Sequence, residues 1–378
     1  MDELQTNTGT DLLSLLPEEL GTLMTVIREP TYRAKQIFPQ LHRGLLPSQM
    51  TNVGKATREK LSQVSHVFFP EIRRRLVSAI DGTVKYLFAM SDGNTVESVL
   101  MRYEHGNTVC ISSQVGCRMG CRFCASTIGG RVRNLTAGEL LGQVIAVQAD
   151  LQAREPGARV DNIVMMGIGE PLDNFDNVVR FLRLVNHPDG LNIGYRHISL
   201  STCGVVDKID ALAELELPIT LSISLHAPDD ETRSAIMPIN NKWGVDALLG
   251  ACRRYYAKTG RRISFEYTLI AGKNDAIPQA EKLARVLNSH LRDKGETMPI
   301  HVNLIPVNQV KETGFTHAGE REIRAFAATL ERRGIRATVR RTLGPDIQAS
   351  CGQLRRAEMQ EMQKEETSPT EDSSRIEP

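Results

Sequence analysis

The chain has 378 residues, 41% of them hydrophobic and 24% charged, with a formal net charge of +1. These values are typical of a globular protein with one large α/β domain and a small appendage, and the balanced charge gives no global indication of a nucleic-acid partner. No apolar run reaches membrane-spanning length, Met1–Thr10 lacks the regions of a signal peptide, and an odd cysteine count of seven argues against a secreted disulfide framework. We therefore expect a cytoplasmic protein without membrane association.

Residues 1–75 are predicted to form a small, basic, helical N-terminal domain. Pro17 begins one helix with Glu18 and Glu19 in its first turn, and Tyr32–Leu41 and Ala56–Val64 form two more. Residues 28–75 carry ten Lys or Arg against three Glu. This excess suits a phosphate backbone, but it describes a solvated helical face equally well.

Residues 76–103 are predicted to form a β meander. Two Asp-Gly pairs, at Asp81 and Asp92, separate runs that are rich in β-forming residues, and such pairs favour tight turns between antiparallel strands. The meander is therefore expected to extend the domain that follows it.

Residues 104–346 are predicted to form the core domain, in which strands alternate with helices. The predicted strands are 108–112, 162–166, 197–202, 219–225, 262–270, 301–306 and 336–342. Between the first two, Thr136 begins a helix whose capping box is completed by Glu139. About six βα units predict an α/β fold with a parallel sheet and helices outside it. Residues 347–356 are a short segment after the last strand, and the acidic tail 357–378 is predicted to be disordered.

Three cysteines stand close together in the run Cys-Arg-Met-Gly-Cys-Arg-Phe-Cys, as Cys117, Cys121 and Cys124. Gly116 and Gly120 allow the backbone to turn around a compact object. Zinc sites and ferredoxin clusters use a fourth ligand in register, which is missing here. Three thiolates from one loop suit a 4Fe-4S cluster whose fourth iron is open to a small molecule. The alternative is a chance group of buried or free thiols.

This cysteine spacing is the signature of the radical S-adenosylmethionine (SAM) superfamily, and further motifs stand before and after it in a fixed order. They are Cys110, Met-Gly-Ile-Gly-Glu-Pro at 166–171, Ser-Leu-His-Ala-Pro at 224–228, Asn-Leu-Ile-Pro at 303–306 and Cys-Gly-Gln-Leu at 351–354. Together they resemble the RlmN/Cfr family of RNA methyltransferases, over about residues 30 to 355. The resemblance implies a partial (β/α)6 barrel, a 4Fe-4S cluster on Cys117, Cys121 and Cys124, and two SAM molecules per turnover.

Candidate SAM-binding residues lie at the carboxyl ends of the predicted strands, where α/β barrels gather their functional groups. The resemblance assigns this role to Gly169, Glu170, Ser201, Ser224, Leu225, His226 and Asn303. Glu170 would take the amino group of SAM, and the hydroxyl and amide groups suit its ribose, carboxylate and adenine edges. Without the resemblance, each of these residues more often has a structural role than a binding role. Gly-x-Gly is common in turns, and His226 is equally consistent with a core histidine that takes no part in acid–base chemistry.

Cys110 and Cys351 gain a chemical role from the same resemblance. Carbon 2 of adenine is electrophilic and holds its hydrogen firmly, so direct methyl transfer from SAM would fail, whereas a thiolate accepts a methyl group readily. The resemblance implies that Cys351 carries the methyl group, that a 5′-deoxyadenosyl radical activates it, and that Cys110 resolves the RNA adduct by forming a disulfide with Cys351. Otherwise both are small buried hydrophobes.

Glu97 is the proton acceptor that the resemblance implies. It stands in the β segment Thr-Val-Glu-Ser-Val-Leu, and strand alternation alone would favour a solvent-facing position for such a residue.

The resemblance also implies the partners. The first is 23S rRNA, which would be methylated on carbon 2 of adenosine 2503, near the peptidyl-transferase centre. The others are tRNAs, methylated at adenosine 37, and an electron donor such as flavodoxin or ferredoxin. Pro171 and Pro306 favour the carbon-2 branch, because Cfr-like sequences carry Ala and Arg there. Carbon-8 methylation, which confers ribosomal antibiotic resistance, remains an alternative, as does a non-catalytic iron–sulfur RNA-binding protein.

Overall fold

The computed structural model describes residues 9–292, 298–308, 314–347, 349 and 352–358. The N-terminal part is helical, as predicted. Its elements are β1 (Thr10–Asp11), α1 (Pro17–Val26), α2 (Arg33–Leu41), α3 (Lys55–Val64) and β2 (Ser65–His66). Strands β1 and β2 pair in parallel and so bring the two ends of this part together.

The N-terminal helices share one hydrophobic core with the rest of the protein. Leu13, Leu20 and Phe38 are buried in the same apolar cluster as the barrel residues. At the boundary, the Gly138 N–H donates to Ser14 Oγ at 2.8 Å, and Arg180 Nη1 donates to Glu19 Oε1 at 2.8 Å. The helical part is therefore docked through both apolar packing and polar contacts.

The meander is part of the main sheet. Its strands β3 (Glu71–Val77), β4 (Val84–Ala89) and β5 (Thr95–Tyr103) are antiparallel, and β5 pairs antiparallel with β6 (Gly106–Cys110). Gly82 and Gly93 take the positive φ angles that the predicted turns require. Strand β3 begins at Glu71, so it includes arginines that the sequence analysis placed in the helical domain.

The remaining elements follow in chain order. They are β7 (Gln114–Gly116), β8 (Arg131–Asn134), α4 (Ala137–Arg154), β9 (Val160–Met165), α5 (Phe175–Asn186), β10 (Ile198–Thr202), α6 (Val206–Glu214), β11 (Thr220–Ser224), α7 (Asp230–Ile236), α8 (Val245–Thr259), β12 (Ile263–Leu269), α9 (Ile277–Leu291), β13 (Ile300–Pro306), α10 (Glu320–Arg332) and β14 (Arg336–Val339).

The main sheet has ten strands in the order β14-β13-β12-β11-β10-β9-β6-β5-β4-β3. The strands from β14 to β6 are parallel, and β14 and β3 are its open edges. Every residue of β12 is buried, as expected for a central parallel strand covered on both faces. The predicted α/β fold with a partial parallel barrel is confirmed.

Local signals in the sequence have the predicted effect on the helices. Thr136 Oγ1 accepts the Glu139 N–H at 3.1 Å, and Glu139 Oε2 accepts the Thr136 N–H at 2.9 Å, which completes the capping box. No helix in the described part of the chain is long and apolar enough to cross a membrane. The predicted disordered tail, 357–378, starts too early, because Ala357 and Glu358 are helical and Glu358 pairs with Arg73. Residues 359–378 lie outside the described residues, so their disorder stays a prediction.

Much of the basic charge in residues 28–75 is paired. Arg33 and Lys60 bind Glu29, Lys55 binds Glu59, Arg73 and Arg74 bind Glu358, and Arg75 binds Asp150. The positive charge available to an external phosphate backbone is therefore smaller than the sequence count suggests.

Candidate active site

The three clustered cysteines lie on a loop closed at its base by the β7–β8 hairpin. The Cys117 N–H donates to Gly130 O at 3.0 Å, and the Arg122 N–H donates to Ile236 O at 2.9 Å. Gly116 has a φ of 75°, and a Cβ there would lie 2.0 Å from Gly130 O, so the loop requires glycine at this point.

One cavity, the cluster cavity, collects most of the predicted site residues. Those that line it are Cys117, Cys121, Cys124, Gly169, Glu170, Ser201, Ser224 and His226. They come from the cysteine loop and from the carboxyl ends of β9, β10 and β11, where barrel chemistry is expected. The structure thus brings eight of the predicted residues around one space.

The cysteine thiols suit a cluster better than a single metal ion. Burial raises the pKa of Cys117 to about 12 and that of Cys121 well above its usual range, so iron must displace protons when it binds. Among the described residues no trio of His, Cys, Asp or Glu converges closely enough to hold one ion. Cluster cysteines each bind a different iron, so they need not converge on one point.

Glu170 is fully enclosed at the end of β9. Its Oε1 accepts the Leu172 N–H at 3.0 Å and its Oε2 accepts the Cys203 N–H at 2.8 Å. Burial raises the pKa of Glu170, and the two backbone N–H groups oppose that effect in part. At Gly169, φ is 111° and a Cβ would meet Gln114 N at 2.7 Å, so glycine lets this turn pack against the cysteine-loop strand.

The end of β11 is held by a buried guanidinium that the sequence analysis missed. Arg233 Nε donates to Leu225 O at 3.0 Å, and its Nη2 donates to Ser224 O at 3.2 Å and Cys203 O at 2.6 Å. Leu225 itself is buried in the core and does not line the cluster cavity. Its predicted contribution to SAM binding is therefore limited to its backbone.

His226 has the geometry of a neutral, structural histidine. Its Nδ1 accepts the Thr268 N–H at 2.9 Å, and its ring meets Phe123 edge-on at 5.0 Å. Burial lowers its pKa to about 3. Its φ of 58° is unusual for a residue other than glycine and places the strand end in a strained turn beside the cavity.

Asn303 lies in an adjoining cavity inside the barrel, together with Ser222, Ser264 and Thr338. Its Nδ2 donates to Glu266 Oε2 at 2.7 Å, and Glu266 lines both cavities. Burial raises the pKa of Glu266, and the Asn303 amide lowers it in part. The sequence analysis missed Glu266, although a single charged residue inside the strand Ile-Ser-Phe-Glu-Tyr-Thr-Leu was a signal.

Cys110 faces a third space, the outer cavity, which continues from the cluster cavity. Phe123 and Cys124 line both, and Cys110 is buried there beside Val99 and Met101. Cys351 lies outside the described residues. Ala349 and Gln353, described on either side of it, line the outer cavity. Because Cys351 lies outside the described part of the chain, its disulfide with Cys110 stays a prediction.

Glu97 is buried, not solvent-facing as strand alternation alone would favour. The side chain is 2% exposed and pairs with the fully buried Lys85, whose Nζ lies 3.2 Å from Oε2. It also accepts the Gly352 and Arg355 N–H groups, each at 2.7 Å. The carboxylate is thus tied to the chain just after residue 351, and its role as proton acceptor stays a prediction.

Other carboxylates bind the same C-terminal segment to the meander. Asp81 Oδ2 accepts the Gly344 N–H at 2.9 Å, Asp346 Oδ1 accepts the Ser78 hydroxyl at 2.7 Å, and Glu358 lies 2.6 Å from Arg73 Nε. The meander therefore serves as the platform on which the described residues of the segment 344–358 dock.

An open parallel barrel with three thiols on one loop and a Gly-Glu turn at the next strand end defines the class of radical SAM enzymes. The sequence profile of the radical SAM superfamily matches residues 111–284. The profile described as the ribosomal RNA large subunit methyltransferase N-terminal domain matches residues 10–67.

Relatives narrow this class to one family. The chain is 48% identical over 348 residues to the probable dual-specificity RNA methyltransferase RlmN of Clostridium novyi, covering 92% of this chain and 98% of that protein. It is 50% identical over 349 residues to the RlmN of Clostridium perfringens, covering 92% and 97%. The crystal structure of a radical SAM methyltransferase from Sphaerobacter thermophilus matches with a TM-score of 0.84 and 42% identity, covering 91% and 98%.

The chain belongs to the RlmN family of radical SAM methyltransferases. This membership confirms the resemblance seen in the sequence and the prediction of an enzyme, and it disfavours a non-catalytic iron–sulfur protein. It also implies SAM and a 4Fe-4S cluster as cofactors.

Proposed function

We propose that this enzyme methylates carbon 2 of adenosine, at position 2503 of 23S rRNA and at position 37 of tRNAs. The observation that carries the proposal is the continuity of the two cavities: Phe123 and Cys124 line both, and the outer one holds Cys110 and the residues flanking Cys351. Relatives described as dual-specificity RNA methyltransferases support two kinds of RNA substrate, and the matching ribosomal RNA large subunit methyltransferase domain supports rRNA as one of them.

The cysteine loop would hold the cluster through Cys117, Cys121 and Cys124, and Glu170 with Ser201 and Ser224 would hold SAM beside it. When bound, the cluster supplies the electron that cleaves SAM to a 5′-deoxyadenosyl radical. Glu170 would take the SAM ammonium, and the position of its buried carboxylate in the lining of the cluster cavity supports this role. The neutral His226 packs against Phe123 and takes no part in proton transfer.

Cys351 performs the methyl relay in this proposal. Its thiolate attacks the methyl carbon of one SAM, forming a carbon–sulfur bond and releasing S-adenosylhomocysteine. A second SAM is consumed in activating that methyl group, which accounts for two per turnover. After the carbon radical has joined the adenine ring, the adduct loses one electron, for which the oxidised cluster would be the acceptor. Glu97 takes the proton from carbon 2, and the ring becomes aromatic again.

Cys110 completes the cycle. Its thiolate forms a sulfur–sulfur bond with Cys351, the bond between Cys351 and the transferred carbon breaks, and that carbon keeps the electron pair and takes a proton. An electron donor of the flavodoxin or ferredoxin type supplies reducing equivalents, and a cytoplasmic location gives access to ribosomes and tRNA.

Anaerobic incubation of the reconstituted protein with SAM, dithionite and RNA tests the reaction. We expect 5′-deoxyadenosine and an RNA nucleoside that mass spectrometry identifies as 2-methyladenosine, and Cys121→Ala should remove both products. An 8-methyladenosine product alone would overturn the choice of ring carbon in favour of the Cfr-like alternative.

The Cys110→Ala variant tests the resolving step. It should trap a covalent protein–RNA adduct that persists on denaturing gels, because no thiol can release Cys351. Cys252→Ala is the matched control, since Cys252 is a buried thiol on α8 away from both cavities. If Cys110→Ala leaves only free RNA, the resolving role is wrong.

A further inference from the structure

The barrel cavity that holds Asn303 opens to solvent through a mouth rich in cations. These cations come from the amino ends of β10 and β12, from the chain just after β14 and from the β5–β6 turn. They are Arg196, His197, Arg262, Arg340, Arg341 and His105, of which only Arg340 is not fully exposed. We call this surface the basic groove.

The cations of the basic groove are not neutralised by the protein. Within the described part of the chain, Arg196, Arg262 and Arg341 form no ion pair with a carboxylate. Glu266 is the one carboxylate among the described lining residues, and it is buried and hydrogen-bonded inside the barrel. Glu104 is exposed near the groove in the chain but lies outside its lining. Three exposed guanidiniums without carboxylate partners favour an anionic ligand.

His301 lies within the same positive field. Its two ring nitrogens are each 3.0 Å from a hydroxyl, that of Ser264 on one side and that of Thr338 on the other. Burial lowers the pKa of His301, and the neighbouring Arg262 and Arg336 lower it further. Arg336 is exposed at the start of β14, so it adds to the positive charge at this end of the barrel.

An aromatic pair accompanies the arginines. Tyr103 and His105 both line the basic groove, with ring centres 5.0 Å apart and ring planes only 12° from parallel. His105 is exposed and Tyr103 is half-buried, so the pair can be reached from solvent. Proteins bind unstacked nucleobases on such rings and hold the phosphates of the same strand with nearby arginines. The combination therefore fits single-stranded RNA better than a free anion.

The basic groove is continuous with the outer cavity. Met101, Met166, Arg340 and Arg341 line both spaces, and Cys110 lines the outer cavity. An RNA strand that places an adenine beside Cys110 continues over the surface next to that cavity. The basic groove offers this strand cations and stacking partners directly beside the reacting base.

We infer that the basic groove binds the single-stranded RNA that flanks the target adenosine. Arg196, Arg262 and Arg341 contact phosphates, and a base next to the adenosine stacks on the pair of Tyr103 and His105. The inference rests on the proposed function, because it presupposes that the adenine reacts in the outer cavity. The groove selects unpaired RNA, since a duplex does not expose the faces of its bases.

Removal of arginine charge tests the phosphate contacts. The assay is the binding of the anaerobically reconstituted enzyme, without SAM, to a fluorescent RNA hairpin whose loop contains the target adenosine. In Arg196→Gln/Arg262→Gln, the affinity at low salt should fall about tenfold or more. The slope of the logarithm of affinity against the logarithm of salt concentration should decrease by about 1.4, because two single-strand phosphate contacts are lost.

The matched control removes the same charge elsewhere. Arg285 on α9 and Arg321 on α10 are exposed, lie outside the lining of the basic groove and form no ion pair within the described residues. Arg285→Gln/Arg321→Gln should therefore keep the RNA affinity within about twofold of the unmodified enzyme. Equal weakening in the two double variants would show an effect of net charge alone and would overturn the inference.

Substitution of Tyr103 separates stacking from charge. Tyr103→Leu should weaken RNA binding about tenfold without changing the salt dependence, whereas Tyr103→Phe keeps the ring and should bind RNA normally. Unchanged RNA affinity in both Tyr103→Leu and Arg196→Gln/Arg262→Gln overturns the inference. Absence of methylated RNA from the unmodified enzyme, despite normal binding of the hairpin, would instead refute the proposed function.

Discussion

Replacing Arg233 with methionine is expected to destabilise the protein and loosen the SAM-binding strand ends. The guanidinium is fully buried and donates to the carbonyls of Cys203, Ser224 and Leu225, and to Asn240 Oδ1 at 3.0 Å. Methionine matches the apolar stem but leaves these acceptors buried without a donor.

The magnitude follows from those acceptors. Each buried carbonyl left without a partner costs roughly 1 kcal/mol or more, so the three backbone carbonyls together cost about 3 kcal/mol. Burial also lowers the pKa of Arg233, because the buried guanidinium has lost its hydration. Removing this charge regains some free energy, which offsets part of the loss of about 3 kcal/mol in stability. Lysine keeps the charge but cannot donate hydrogen bonds to several acceptors in different directions. Arg233→Lys should therefore lower the free energy of unfolding by about half as much as Arg233→Met.

Denaturant unfolding of the cluster-loaded protein under anaerobic conditions measures the effect. Arg254→Met is the matched control, because that arginine pairs with Asp210 on the surface and its loss should cost less than about 1 kcal/mol. Arg233→Lys should also raise the KM for SAM more than it changes kcat, since Ser224 and Leu225 lose their support. Equal stability of Arg233→Met and Arg254→Met would refute the reasoning.

Three further predictions concern buried or paired charges. Lys85→Met should lower the free energy of unfolding by about 3–5 kcal/mol, because it leaves the buried Glu97 carboxylate without its cation. Adding Glu97→Gln should recover part of this loss. If the effects of the two substitutions are additive in a double-mutant cycle, the two side chains do not stabilise each other. Glu266→Gln should raise the KM for SAM with little change in kcat, because Glu266 positions Asn303 without touching the reacting atoms; a fall in kcat at constant KM would exclude that role. Burial disfavours the charged form of Asp92, but hydrogen bonds from Arg133 and Asn94 prevail and lower its pKa from 3.8 to about 2. The stability that the Asp92 carboxylate contributes is therefore present above pH 3.8 and is lost as the pH falls through about 2. Asp92→Asn should reduce the change of the unfolding free energy with pH between these two values. If this pH dependence is unchanged in the variant, the carboxylate contributes nothing to stability.

The sequence alone determined the features that depend on short spans of chain. The cysteine spacing defined the superfamily because all three ligands lie on one loop. The Thr136 capping box and the Asp-Gly turns appeared where expected, since each is set by a few adjacent residues. The strand–helix alternation likewise predicted the parallel sheet, because hydrophobic periodicity is a local signal, whereas the barrel was implied by the family resemblance.

The tertiary structure decided which distant residues meet. Pairing of β5 with β6 merges the meander into the barrel sheet, and this makes it a platform for the described residues of the segment 344–358. Glu97 is buried against Lys85 and the chain beyond residue 351, more than 250 residues away. Arg233 on α7 contacts the end of β11, and Glu266 on β12 contacts Asn303 on β13, so both reach the predicted SAM-binding residues from other elements. Such contacts depend on sheet order and register, and no periodicity or motif within one segment encodes them.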